Sequence, residues 1–157
     1  ARRAGSALMR LRLAVQRSSA VRGLPRPASI EEWARAGLAG AGAGLAEVTV
    51  RLVDEPESAA LNRRYRGKHG ATNVLSFSYD LARGARGLAG DLVICAPVVA
   101  REARAQGKPV RAHWAHMVVH GIMHLRGYDH IHPADAQVME ALEIRALKRL
   151  GIPDPYA

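Results

Sequence analysis

Cysteine is nearly absent. Cys95 is the single one in 157 residues, so no internal disulfide framework can form, and a reducing compartment, the cytoplasm, is the expected setting. Standing in a strand-like run, Cys95 reads as a small buried apolar residue. No apolar run approaches the ~20 residues that span a bilayer, which argues against a membrane role. Aromatic residues are scarce as well, with two Trp, four Tyr and one Phe, too few for an extended platform on which many bases could stack. Acidic residues number 14 against 23 Lys and Arg, and the basic set is almost all arginine.

The resulting charge of +9 is unevenly spread. Residues 1–26 carry seven Arg and no acid, leaving +2 for the rest of the chain. That acid-free start has the composition of an organellar transit peptide, but "LRLAVQ" (11–16) alternates as a half-buried strand does. Residues 1–8, ahead of Met9 and this strand, are expected to be an upstream extension or an expression remnant, with one domain over 9–157. A second cluster, Arg63, Arg64, Arg66, Lys68, Arg83 and Arg86, faces Asp80 alone over residues 60–86. Such a patch suits a phosphate backbone, and also suits an ordinary solvated surface.

Periodicity predicts an α/β (α+β) fold, a single layer of about four strands packed with four to five helices. "PASIEEWARAGLA" reads as a helix opened by a capping box of Ser29 and Glu32. "EVTVRLVD" (47–54) is a β-branched strand, and "EPESAALNRRYRG" a helix with Asp54 as N-cap and Gly67 beyond its end. "NVLSFSY" and "GDLVICA" are two more strands around a Gly- and Arg-rich loop at 80–90. Three helices follow: "PVVAREARAQG", a long one from about Val110 to Arg126, and the amphipathic "PADAQVMEALEIRALKRLG".

The long helix carries the chemistry. In "HGIMHLRGYDH", His120 and His124 lie one turn apart on one face. His130 cannot share that face, because six more helical residues would carry it ~9 Å along the axis and well round it. Gly127 supplies the stop, since glycine takes the left-handed conformation that ends helices. Two imidazoles on a rigid helix and a third folded back form a three-nitrogen cage for a divalent metal, with a fourth position for water. Three imidazoles crowded together without a cation would cost free energy. Zinc suits three nitrogens plus water, and nickel or another imidazole-binding ion is not excluded. His116, on the same stripe, and Asp129 are expected to steady the ligands from behind.

The spacing HxxxHxxGxxH is also that of metzincin peptidases, which carry Glu directly after the first His as general base. Here that residue is Gly121, so a peptidase would need a base from elsewhere, such as Asp129 or Glu140. A metal beside a cationic patch suits a phosphodiester better, the arginines holding phosphate and stabilising developing charge. A metal-stabilised RNA-binding assembly factor without catalysis is the other alternative.

"LNRRYRGKHGATNVLSF", "GDLVICAPVV", "AHWAHMVVHGIMHLRGYDH" and "LGIPDPY" together resemble the bacterial YbeY family of endoribonucleases, the rRNA maturation factors. The resemblance runs in continuous order from about Val48 to Tyr156. It implies one zinc ion per chain held by His120, His124 and His130, with His120 and Arg66 as catalytic residues. It further implies cleavage of single-stranded RNA, including rRNA precursor, in maturation of the 3′ end of small-subunit (16S) rRNA and in ribosome quality control. The small ribosomal subunit or its assembly factors are the implied partners, and Arg63, Arg64, Arg66 and Lys68 the candidate RNA contacts. Local departures are His69 where the family often has Asp, Ala71 where Pro is usual, and Ser78 where Pro often follows.

Overall fold

The computed structural model describes residues 8–157, so residues 1–7 of the expected extension lie outside the described residues. Four strands form one sheet: β1 (Met9–Ser18), β2 (Gly44–Val53), β3 (Val74–Ser78) and β4 (Gly87–Cys95). Their order is β1-β2-β4-β3, with β1, β2 and β4 parallel and β3 an antiparallel edge strand. Five helices accompany them: α1 (Pro27–Leu38), α2 (Glu55–Arg66), α3 (Ala96–Ala105), α4 (Val110–Leu125) and α5 (Pro133–Arg149). This is the mixed α/β layer that periodicity predicts. None of these helices is long and apolar enough to cross a membrane.

Period-two alternation sorts the two faces of the sheet. On β1, Met9, Leu11, Leu13 and Val15 turn toward the core while Arg10, Arg12, Ala14 and Gln16 are exposed. The inner face carries the main core, in which Val48, Val50, Leu52, Leu92 and Ile94 meet Ile30 and Trp33 of α1 and Val118, Val119 and Ile122 of α4. Two glycines let α4 approach this closely. A Cβ on Gly121 would lie 2.7 Å from Leu92 Cδ2, and one on Gly90 would lie 2.5 Å from both Leu125 Cδ2 and the Phe77 carbonyl oxygen. On the outer face α2 covers only one end of the sheet, where Leu61 packs on Val53, Leu75, Val93 and Cys95. Cys95 is fully buried there, and its thiol pKa is pushed up chiefly by that burial.

Three local expectations are corrected. α1 starts at Pro27 with Arg26 as N-cap and no side-chain cap, because proline at the first position already has helical φ. The Ser29 hydroxyl, inside the first turn, accepts instead from Arg111 Nη1 at 3.2 Å. Asp54 does occupy the N-cap of α2 but makes no side-chain cap bond; its carboxylate accepts from Ser19 Oγ and from the Ala20 amide at 3.0 Å. That partnership holds its pKa below the usual carboxylate range, the backbone bond from Ala20 being the larger cause. The loop expected at 80–90 is shorter, since residues from Gly87 already pair with β2. Gly and Ala suppress a local strand signal that the parallel partner restores.

Candidate metal centre

α4 is buried around most of its circumference, with its histidines emerging along one stripe beside α3 and α5. Each finds a partner. His113 Nε2 donates to Glu102 Oε1 at 2.8 Å, and Asn73 Nδ2 to the same oxygen at 3.1 Å. His116 Nε2 donates to Glu143 Oε1 at 2.8 Å, an oxygen that also accepts from the Tyr156 hydroxyl at 2.7 Å. His120 Nδ1 donates to Glu143 Oε2 at 3.1 Å, and His124 Nδ1 to the Tyr128 carbonyl at 3.1 Å. A cleft of about 560 Å³ opens beside this row, lined by Asn73, Glu102, Lys108, His113, His116, His120 and Tyr156.

The tautomers follow from these acceptors. A carbonyl oxygen can only accept, so His124 carries its proton on Nδ1 and a lone pair on Nε2. Glu143, with fully buried side chain, is an acceptor for His120 Nδ1 in the same way. Burial alone would raise the Glu143 pKa, but hydrogen bonds from His116 and His120 outweigh it and bring it to about 2. Desolvation, with the neighbouring His120 and His130, lowers His124 to about 4 and keeps it neutral at pH 7. The Tyr156 phenol is pushed up by burial and by Glu143, so it remains a donor. The Nε2 atoms of His120 and His124 face each other 3.1 Å apart, a separation that one shared proton or one metal ion bridges.

His130 completes the group, one ring nitrogen of each of the three histidines lying within 4.8 Å of the others. Gly127 turns the chain back, with φ 95°, a conformation that a β-branched residue resists. The Asp129 carboxylate accepts from the amides of His130 at 2.6 Å and Ile131 at 3.1 Å, which pins the returning turn. The three side chains thus fit a divalent ion in donor chemistry and spacing, with Glu143 and the Tyr128 carbonyl orienting two of them.

Glu143 and Tyr156 escaped sequence reasoning, and Glu140, weighed as a base, takes no part in these bonds. One signal was available: Met139, Glu143, Ala146 and Leu147 form the buried stripe of α5, and a carboxylate in an apolar stripe demands a partner. A Glu at position 121, the peptidase arrangement, has no room, because that position faces Leu92 rather than the histidines.

Of the six clustered cations, Arg63, Arg64, Arg66 and Lys68 lie on α2 and the loop after it, and Arg83 and Arg86 on the loop between β3 and β4. Arg66 is the last residue of α2, and Gly67 caps it with φ 65°. The exposed Arg66 guanidinium donates to the Ser76 carbonyl on β3 at 2.6 Å and lies over the Phe77 ring at 5.6 Å. Arg63, Arg64 and Lys68 are exposed as well. The loop carrying His69 and Ala71 is held from behind, Asn62 Nδ2 donating to the Gly70 carbonyl at 2.9 Å and the Thr72 amide to Ser58 Oγ at 3.1 Å.

Residues 27–151 match the family model described as endoribonuclease YbeY. The chain belongs to the YbeY family. It is similar to the endoribonuclease YbeY of Methylococcus capsulatus, 56% identical over 145 residues that cover 92% of this chain and 94% of the relative. It is also similar to that of Aromatoleum aromaticum, 54% identical over 155 residues, covering 97% and 96% of the two chains. The solution structure of TM1509 from Thermotoga maritima shares the fold, with a TM-score of 0.51 at 21% identity over 87% of this chain and 91% of that one. The YbeY match spans α1 through α5 and contains the histidine group, Glu143 and the arginines of α2.

Proposed function

We propose that this YbeY-family chain is a zinc-dependent hydrolase that cuts single-stranded RNA. Its place is the cytoplasm, in 3′ end maturation of 16S rRNA and in ribosome quality control, with the small ribosomal subunit or its assembly factors selecting the site. The observation that carries the reading is the convergence of His120, His124 and His130, one ring nitrogen of each within 4.8 Å of the others and two of them 3.1 Å apart. When bound there, a divalent ion supplies Lewis-acid chemistry, polarising a phosphoryl oxygen and activating water. Three nitrogens with one open position suit zinc. The chain's own residues do the rest. His120, His124 and His130 hold the ion, Glu143 keeps the His120 proton on Nδ1, and Arg66 with Arg63, Arg64 and Lys68 draws in and orients the phosphate.

Arg66→Ala is expected to lower RNA cleavage by about a hundredfold, the usual loss when one charge-stabilising donor is removed. Its melting temperature should move little, since an exposed helix-end arginine contributes about 0.3–1 kcal/mol. Full activity in this variant would reduce Arg66 to an anchor for the β3 edge.

The test of the whole reading is one labelled RNA carrying a hairpin stem and a flexible mixed-sequence tail, incubated with metal-replete protein at rising salt. Cutting is expected in the tail, with little base preference and steep loss with salt, because an unpaired strand can bend one phosphodiester into a recessed site while a duplex cannot. Equal cutting of stem and tail, or cutting confined to one short sequence, would contradict it.

A further inference from the structure

Three of the seven aromatic residues gather in one place. Tyr65, at the end of α2, meets Phe77 on β3 edge-to-face at 5.3 Å between ring centroids. Tyr79 follows Phe77 by two residues, and two residues along a strand return a side chain to the same face. Register fixes that face. Phe77 pairs with Asp91, which pairs with Thr49, which pairs with the exposed Ala14, so all lie on the outer face of the sheet, with Phe77 at the margin of the cluster under α2. The Tyr79 hydroxyl donates to the Asp91 carboxylate, tying its ring to that surface. Tyr65 and Tyr79 remain 54% and 55% exposed.

Cations accompany the rings. Arg64 lies 5.2 Å from the Tyr65 centroid and Arg66 5.6 Å from that of Phe77, and neither has an ion-pair partner among the described residues. Exposed aromatic faces interleaved with unneutralised arginines match a polyanion whose flat, uncharged groups alternate with phosphates. That is an unpaired nucleic-acid strand. A scarcity of aromatics excludes an extended platform, as the composition indicates, but the tertiary fold concentrates enough for one or two bases.

Geometry also joins this patch to the histidines. The Cys95 amide donates to the Asn73 carbonyl and the Tyr79 amide to the Ala89 carbonyl, so odd-numbered residues of β3 bond to β4. The backbone groups of Val74, Ser76 and Ser78 therefore point to the free edge, and Arg66 takes the Ser76 carbonyl there. α4 packs against β3 from the inner side, with Leu125, the neighbour of His124, beside Gly90 and the Phe77 carbonyl. The β3 edge is thus the rim between the two.

We propose that Tyr65, Phe77 and Tyr79 form a base-stacking subsite for single-stranded RNA, which crosses the free edge of β3 past Arg66 to reach the metal centre. The inference rests on the endoribonuclease reading and extends it to substrate positioning. Its test compares metal-replete wild type with Tyr65→Ala/Tyr79→Ala, both exposed sites at which truncation spares the core. The substrates are a single-stranded RNA cut by the wild type and the same strand with abasic sugars flanking the cut. On the base-bearing strand the double variant is expected to raise KM about tenfold or more, the usual effect of losing one stacked base, at an unchanged melting temperature. On the abasic strand the two proteins should perform alike, and Tyr65→Phe should restore the base-bearing KM to Tyr79→Ala background levels. An unchanged KM, or an equal loss on both strands, overturns the subsite while leaving the nuclease reading intact. Absence of metal-dependent RNA cleavage in the wild type overturns the nuclease reading itself, and the subsite with it.

Discussion

His120→Ala is expected to reduce RNA cleavage to background, a fall on the order of a thousandfold or more, because the Lewis-acid contribution of several kcal/mol goes with the ion. The loss follows from the opposed nitrogens. With His120 gone, His124 Nε2 loses the nitrogen that faces it, and two imidazoles remain where three were within 4.8 Å of one another. Metal content after gentle purification should drop from near one ion per chain toward none. The fold should survive, since Val118, Val119, Ile122 and Met123 bury α4 independently of the stripe, and Glu143 keeps its bonds from His116 and Tyr156. Losing the third donor costs about 1–3 kcal/mol. Undiminished cleavage with stoichiometric metal would place the chemistry elsewhere.

Glu143→Ala is expected to do damage of a different kind. Removing a fully buried carboxylate strands three donors, His116 Nε2, His120 Nδ1 and the Tyr156 hydroxyl. Breaking a buried charged network from one side costs about 3–5 kcal/mol, so the melting temperature should fall by many degrees. The variant that isolates the positioning role is Glu143→Gln. It keeps the volume and an acceptor oxygen but loses the negative charge that holds the His120 proton on Nδ1 and so fixes its tautomer. Metal affinity is then expected to weaken by about 10–100-fold, measured by competition with a chromophoric chelator, in a protein that still melts cooperatively. Wild-type affinity in Glu143→Gln would show that the carboxylate serves packing alone.

Both predictions concern a site that was partly legible beforehand. His120 and His124 are neighbours because a helix repeats every 3.6 residues, and His130 rejoins them because Gly127 can adopt positive φ. These are local rules, and the spacing within eleven residues states them. Arg66, Arg63, Arg64 and Lys68 were legible as a cluster, but not that Arg66 would be spent on the β3 backbone and the Phe77 ring. Glu143 lies 23 residues from His120, and Tyr156 further on, at a separation where no periodicity constrains distance.

Local pattern is enough to give the kind of elements, the apolar stripes that drive α1 and α4 onto the sheet and α5 onto α1 and α4, the three-histidine turn and the family. Each depends on interactions within a few residues or on pattern along one segment. Tertiary structure alone decided the strand order β1-β2-β4-β3, the face on which each strand's polar side lies, and the meeting of Tyr65 with Phe77 across two elements. It also decided that the buried carboxylate of α5 would set the protonation of a histidine on α4. The physical reason is that register and helix docking are settled by burying the most apolar surface of all elements at once. A polar group's partner is then whichever donor that common solution brings within about 3 Å.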